Sequence, residues 1–401
     1  MNSRNQSLDV PYYVRALAMG LPAITFGLTL QSWLDEKRLV QSGGTDFRHL
    51  YTAAYMVRTG HSSELYNYAA QKHFQNLLIS VHSLPLPFNH PPYETLLIMP
   101  FTYLRFQPAF AAWLSFNLVI LALCFWFLTP DLDRLKPLWQ LLPVAMFIGF
   151  IPFSVALMQG QDSILLLFLS SLAYLAARRE NEWLAGLLVG LCVFRFQVAL
   201  PIAALFVLWR RWRFTAGFAL SSLLCFLCSL WIAGFKGLMA YVALLNGMSA
   251  GLDRQAEVLY GLPPAFMANL RGMIYVVCSA WMSPESIHWL VIAVSAALLL
   301  AVGFIARHQE IHSQLIAAVV TASLVGYHTL SHDLSILMLP LVVLLAQHRS
   351  DDPWLAVIAI VFTAPALDLI YRPLMFLACL ANILLLGVMM NSVKRTGSLS
   401  T

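Results

Sequence analysis

Charge is what this chain is short of. Only 11% of its 401 residues are Asp, Glu, Lys or Arg, where a soluble domain carries about a quarter. That excludes a soluble fold with a solvated shell. With 60% apolar residues and a mean hydropathy of +0.73, the chain reads as a multi-span membrane protein. It also lacks a cleavable leader pattern: residues 1–10 are polar, and no small-residue cleavage site follows the first apolar run. That run is expected to stay as a span. A metal or redox pattern of cysteines is missing too. The six cysteines lie in or beside apolar segments, and Cys225 and Cys228 have no His or acid beside them. There is no tandem repeat and no low-complexity tract. The net charge of +5 falls in short basic clusters between apolar runs, which the positive-inside rule produces and which says nothing for nucleic acid.

What is there is a series of apolar runs: 12–34, 109–128, 138–158, 163–176, 183–194, 198–209, 214–235, 287–305, 315–327, 334–345, 354–370 and 374–390. Backbone groups must be paired in lipid, so each is expected to be a helix. The run 95–104 is short and bracketed by Pro92, Pro100 and Pro108, and is expected to be re-entrant or partly inserted. About twelve full spans result, with both termini inside. Arg178-Arg179, Arg210-Arg211-Arg213, Arg307-His308, His348-Arg349 and Lys394-Arg395 should be cytoplasmic. Alternation then places 159–162, 194–197 and 328–333 on the other side, with the long segments 35–89 and 236–286. The expectation is one all-α polytopic domain over 1–401. Within 35–89, Phe47, Leu50, Tyr51, Ala54 and Tyr55 recur at helical spacing, as do Leu65, Ala69, Phe74 and Leu77. These predict helices lying on the membrane surface.

Chemistry gathers on that outer face. Asp46 follows the Gly43-Gly44 pair and opens an apolar helical pattern. At the lip of the bilayer its carboxylate can take a proton from a substrate hydroxyl; a solvated loop carboxylate is the plainer alternative. Arg195 sits between two apolar halves, where a charge is costly unless partnered; otherwise it snorkels to the interface. His328 and His332 are four apart and would share a helix face. They could donate to phosphate or, with Asp333, bind a metal; a structural imidazole satisfied by a carbonyl is the plainer alternative for either one alone. Gln161, His90 and Tyr93 suit contacts to a sugar or phosphate, or helix starts. Arg271 adds charge to a pocket or lies in a surface loop. Asp253, Arg254 and Glu257 read as a solvated face.

These residues, in this order, resemble glycosyltransferase family 87. The likeness rests on Asp46, Tyr51, Ala53-Ala54, Gly60 and Leu65-Tyr66, then Phe88-Asn89-His90-Pro91-Pro92 before Pro100. It continues with Gly160-Gln161, Gly186-Leu187-Leu188, Gly190, Arg195, Arg210-Arg211-Trp212-Arg213 and His332-Asp333-Leu334. It runs from Ser42 to about Leu345. The chain departs from the family's habit at His90, where an aromatic is usual, and at Arg195, where Lys is common. The resemblance implies a GT-C fold and inverting transfer of a sugar, mannose in the first instance, from a polyprenyl-phosphate carrier to a lipid-linked or glycan acceptor. The reaction would face outward from a bacterial inner membrane, with the protein as a monomer. It implies Asp46 as base and Arg195, His332, Arg271 and His328 around the donor phosphate. Arg48, Tyr51, His90, Tyr93, Gln161, Gln197 and Asp333 would touch sugar or acceptor. No cofactor and no metal ligand is expected, because the paired acids of metal-dependent GT-C enzymes are not evident, although a divalent requirement stays open. A transporter or flippase of lipid-linked sugar is the competing reading. It would place ionisable residues near the bilayer midplane, whereas here they gather at one end of the spans.

Overall fold

The computed structural model describes residues 12–79, 86–250, 263–347 and 354–397, without the side chains of 248–250 and 391–397. Residues 1–10, Asp253, Arg254, Glu257 and His348-Arg349 lie outside the described residues, as do the side chains of Lys394 and Arg395. Among the described residues every regular element is a helix. By length and composition, 6 helices among the described residues can cross a membrane, or up to 7 if the bent pair Leu142–Gly149 and Ile151–Gln159 counts as one. That pair is bent by 46° at Phe150, whose ψ of 103° is extended, with Pro152 opening the second limb.

Hydrogen bonds fix which helix ends lie together. Arg178 Nη1 donates to Asp131 Oδ2 at 2.9 Å. Arg211 donates to Glu182 Oε1 at 2.8 Å, to Gln314 Oε1 at 2.9 Å and to the Gln309 carbonyl at 3.0 Å. Trp209 Nε1 reaches the Gly303 carbonyl at 3.0 Å. The C-terminal ends of Phe106–Phe127, Ser163–Arg178 and Pro284–Ile305 therefore share one end of the bundle with the starts of Glu182–Leu191 and Ile311–Val325. Asp131 can stand beside Arg178 because the expected re-entrant stretch does not cross: it is Thr95–Ile98, 4 residues, then a 3₁₀ turn Met99–Tyr103, 5 residues.

Length and hydropathy alone make Glu182–Leu208 a single 27-residue span. The bond from Arg211 to Glu182 overrules that, since both ends lie at one level. The stretch is a hairpin. Glu182–Leu191 rises, Cys192–Arg195 turns and Phe196–Leu208 returns, with Arg195 at φ −110°, ψ 61° on the corner. The next helix, Trp212–Ala250, then runs parallel to the first limb. Gly186 lies against the Phe214 backbone and Gly190 against Phe218 and Ser221, where any Cβ would collide. Ser221 Oγ donates to the Leu187 carbonyl at 2.8 Å across the same contact. Small residues thus let two helices pack backbone to backbone, as membrane interfaces favour.

The opposite end is stepped. Ser163–Arg178 has 16 residues and Ile311–Val325 has 15, about 23 Å each. Phe106–Phe127 and Pro284–Ile305 have 22, about 33 Å. Trp113 Nε1 donates to the Gly160 carbonyl at 2.9 Å, so the helix that begins at Phe106 rises about 10 Å above the start of Ser163–Arg178. The central helices stop short and leave a recess. Gly234, with φ 67° and ψ 176°, breaks Trp212–Ala250. Its second limb passes over the recess, stacking Tyr241 on Tyr66 at 5.2 Å between centroids.

Phe47–Arg58 departs from the surface helix its spacing predicts. Phe47, Leu50 and Ala54 pack with Phe106, Phe110 and Trp113 in an aromatic core of their own, Phe47 lying edge-on to Phe110 at 5.6 Å. Arg48, His49 and Thr52, on its polar face, are buried as well. Of these three, His49 lies on the wall of the recess.

Candidate active site

The recess holds a cavity of about 610 Å³. Its wall carries Asp46, His49, His90, Gln161, Arg195, Gln197, Arg271, His328, His332, Asp368 and Arg372, and the apolar Leu245, Phe194 and Met267. Most of the polar wall comes from helix termini and junctions, where backbone and side chains are free to face it.

Asp46 opens the helix Phe47–Arg58 without capping it. Its Oδ2 instead accepts from Gln161 Nε2 at 2.5 Å. Gly160, at φ +68°, ends Ile151–Gln159 in the left-handed conformation that favours glycine. This swings Gln161 and Asp162 into the site. Asp162 stands at the N-cap of Ser163–Arg178 but makes no cap bond. It receives Arg195 instead, through Nε at 2.8 Å and through Nη2. Arg195 Nη2 also donates to Gln161 Oε1 at 2.5 Å, and Nη1 lies 3.3 Å from Asp333 Oδ1. The guanidinium is buried and neutralised by two carboxylates, which answers the cost of placing it there. Burial alone would raise the Asp162 carboxyl; the Arg195 guanidinium holds it down at about 2.

His90 Nδ1 lies 2.7 Å from Glu94 Oε2 and 3.8 Å from Asp162 Oδ2. Burial, with Arg195 nearby, brings its imidazole down to about 4, so it is neutral at physiological pH. Burial and the Asp162 carboxylate push Glu94 well above the usual range. His49 packs ring to ring with His90 at 5.2 Å.

His328 and His332 both reach the cavity, but not on one helix face. His328 lies in the junction after Ile311–Val325, and His332 opens a 3₁₀ turn, His332–Leu337. His332 Nδ1 is 3.4 Å from Ser163 Oγ. Arg271 follows the start of Leu270–Cys278, capped by Asn269, and its guanidinium stacks 3.9 Å above the Tyr327 ring centre. Four of the expected contact residues are not on the wall. Tyr51 donates to the Leu104 carbonyl at 2.8 Å, and Arg48 is buried beside it on the same helix. Tyr93 ties its segment to the next helices through Leu191 and Ser229. Asp333 stands behind Arg195, its Oδ2 accepting from the Leu330 amide at 2.9 Å.

Asp162 and Glu94 were missed as site residues, along with His49, Asp368 and Arg372. For Asp162 a signal existed: a buried arginine demands an acid, and Asp162 adjoins Gln161. For Glu94 the local signal is its i,i+4 spacing from His90; nothing local points to its meeting with Asp162.

The model of glycosyltransferase family 87 matches residues 88–340. No curated protein and no solved structure matches the chain.

Proposed function

We propose, from the premise that this chain belongs to glycosyltransferase family 87, that it moves a sugar from a polyprenyl-phosphate carrier onto the hydroxyl of a lipid-linked or glycan acceptor. Mannose is the first sugar to test. The chain is a membrane glycosyltransferase. The observation that carries the finer reading is the recessed cavity, which holds Asp46 at its lip and two cations elsewhere on its wall, Arg271 and Arg372, the latter 3.6 Å from Asp368. In a single displacement, Asp46 takes the acceptor's hydroxyl proton as the oxygen attacks the anomeric carbon. The bond from that carbon to the phosphate oxygen breaks, and the electron pair leaves with the phosphate. The configuration inverts. Gln161 and Arg195 hold Asp46 in place. Arg271 and Arg372 meet the growing charge on the phosphate, with His328 and His332 as neutral donors. Because Arg195 is already taken by Asp162 and Gln161, its part is to orient the base more than to bind phosphate.

The architecture proposed is a GT-C bundle in one polytopic domain. Counting the hairpin limbs and the shorter helices Ser163–Arg178, Ile311–Val325, His332–Gln347 and Trp354–Ile370 as crossings supports about twelve. The basic end is then cytoplasmic, and the described parts of 35–89 and 236–286 lie outside with the cavity. Purified protein incubated with radiolabelled polyprenyl-phosphate sugars and a total lipid extract should yield a new labelled glycolipid. Asp46→Asn should abolish it while leaving donor binding near normal. Full turnover in that variant rejects the base, and transport without any new glycolipid rejects the transferase.

A further inference from the structure

We infer that His90, Glu94 and Asp162 form a binding site for one first-row divalent cation, of the Mn²⁺ or Zn²⁺ kind, behind the cavity wall. The three residues are buried, and one ligand atom from each lies within 4.8 Å of the others. Around a cation at about 2.1 Å, neighbouring ligand atoms sit about 3 to 3.5 Å apart. The His90 nitrogen lies 2.7 Å from one carboxylate oxygen and 3.8 Å from the other, which brackets that spacing. A nitrogen with two carboxylate oxygens selects a borderline cation over Mg²⁺ or Ca²⁺, which prefer oxygen alone.

Two further observations point to a ligand. With both acids ionised, Glu94 Oε1 and Asp162 Oδ2 are buried without a donor, and both ring nitrogens of His49 are buried without a partner, that ring lying 5.2 Å from the ring of His90. An unpaired buried carboxylate oxygen is expensive. The formal charges agree. Glu94, Asp162 and Asp333 are three buried carboxylates around one guanidinium, Arg195. With a dication bound all three would be ionised, leaving two negative charges for it to balance. The expectation of no paired acids thus reverses: Glu94 and Asp162 are far apart in the chain and meet only in the fold. The cation would sit one residue from Gln161 and pin the loop that orients Asp46.

The test uses the full-length protein in detergent, stripped with EDTA and titrated with MnCl₂ while free Mn²⁺ is read by electron paramagnetic resonance. Saturation at one Mn²⁺ per chain is expected. Glu94→Gln and His90→Ala should each weaken binding at least about tenfold, since even outer-shell changes do that, with the elution volume and far-ultraviolet dichroism of wild type. Absence of saturable binding, or equal binding by Glu94→Gln, overturns the site and leaves a proton shared between the two acids. Because the readout is metal, not turnover, neither result bears on the transfer reaction.

Discussion

Gln161 stands between Asp46 and Arg195, bonded to both at 2.5 Å. Arginine can only donate, so the amide oxygen must face Arg195, and the amide NH₂ must then face Asp46. The orientation of Gln161 is set by chemistry, and so is the direction in which Asp46 is held. A buried ion pair, Arg195 with Asp162, is thereby converted into the aim of a carboxylate at the cavity lip.

Gln161→Leu keeps the bulk and removes both bonds. It should lower kcat at least about tenfold, a part of the 10²–10⁴ that a positioned base contributes, while the donor KM stays within about twofold. A rise in donor KM at unchanged kcat would make Gln161 a donor contact and remove its positioning role.

Arg271 brings a permanent charge to the cavity wall, stacked on Tyr327. Losing a charge-assisted hydrogen bond costs about 1.5–3 kcal/mol, so Arg271→Ala should weaken donor binding about 10- to 100-fold. Arg271→Lys should recover only part, because a point charge does not stack on Tyr327 as a planar guanidinium does. Titration of a fluorescent polyprenyl-phosphate analogue measures both. Donor affinity equal to wild type in the alanine variant would move the phosphate elsewhere on the wall.

The bundle was legible from hydropathy and basic clusters because lipid demands paired backbone and leaves few alternatives. The corner at Arg195 was legible for the same reason: a permanent charge inside an apolar run has to mark a turn or find a partner, and it does both. Asp46, His90, Gln161, Arg271, His328 and His332 reach one cavity, but their partners could not be read. Glu94 pairs with His90 locally, yet its meeting with Asp162 depends on how two loops settle over the short central helices. Tyr51 misled because aromatic periodicity says that a face is buried, not against what; here it is buried against Phe106, ring to ring at 5.4 Å.

Gly186 tests the hairpin. A Cβ there would run into the backbone of Phe214, while a Cβ at Gly20 meets nothing within 4 Å. Backbone cannot move aside as a flexible side chain can, and overpacking costs about 1–3 kcal/mol or more. Gly186→Ala should therefore lower the melting temperature by several degrees. Gly20→Ala, inside the helix Tyr12–Asp35, should leave it unchanged or raise it, because alanine favours helix. Equal melting of both variants would mean that the limb 182–191 does not lie against 212–221.

His328 links stability to pH. Burial lowers its imidazole from the ordinary 6.5 to about 4, and Arg271 and Arg195 add to that against the pull of Asp333. As pH falls through 6.5 the unfolded chain takes up a proton that the folded chain refuses, so stability is present above 6.5 and drains away down to about 4. His328→Gln removes this contribution: its melting temperature should fall less steeply than that of wild type between pH 7 and 4.5. Parallel curves would show that His328 titrates normally and is open to water. The same depression has a consequence for binding. At neutral pH His328 can offer phosphate an N–H but no charge, so donor affinity should stay flat from pH 8 to 6, with the arginines supplying the attraction. A rise in affinity over that range would instead require His328 to become cationic beside Arg271.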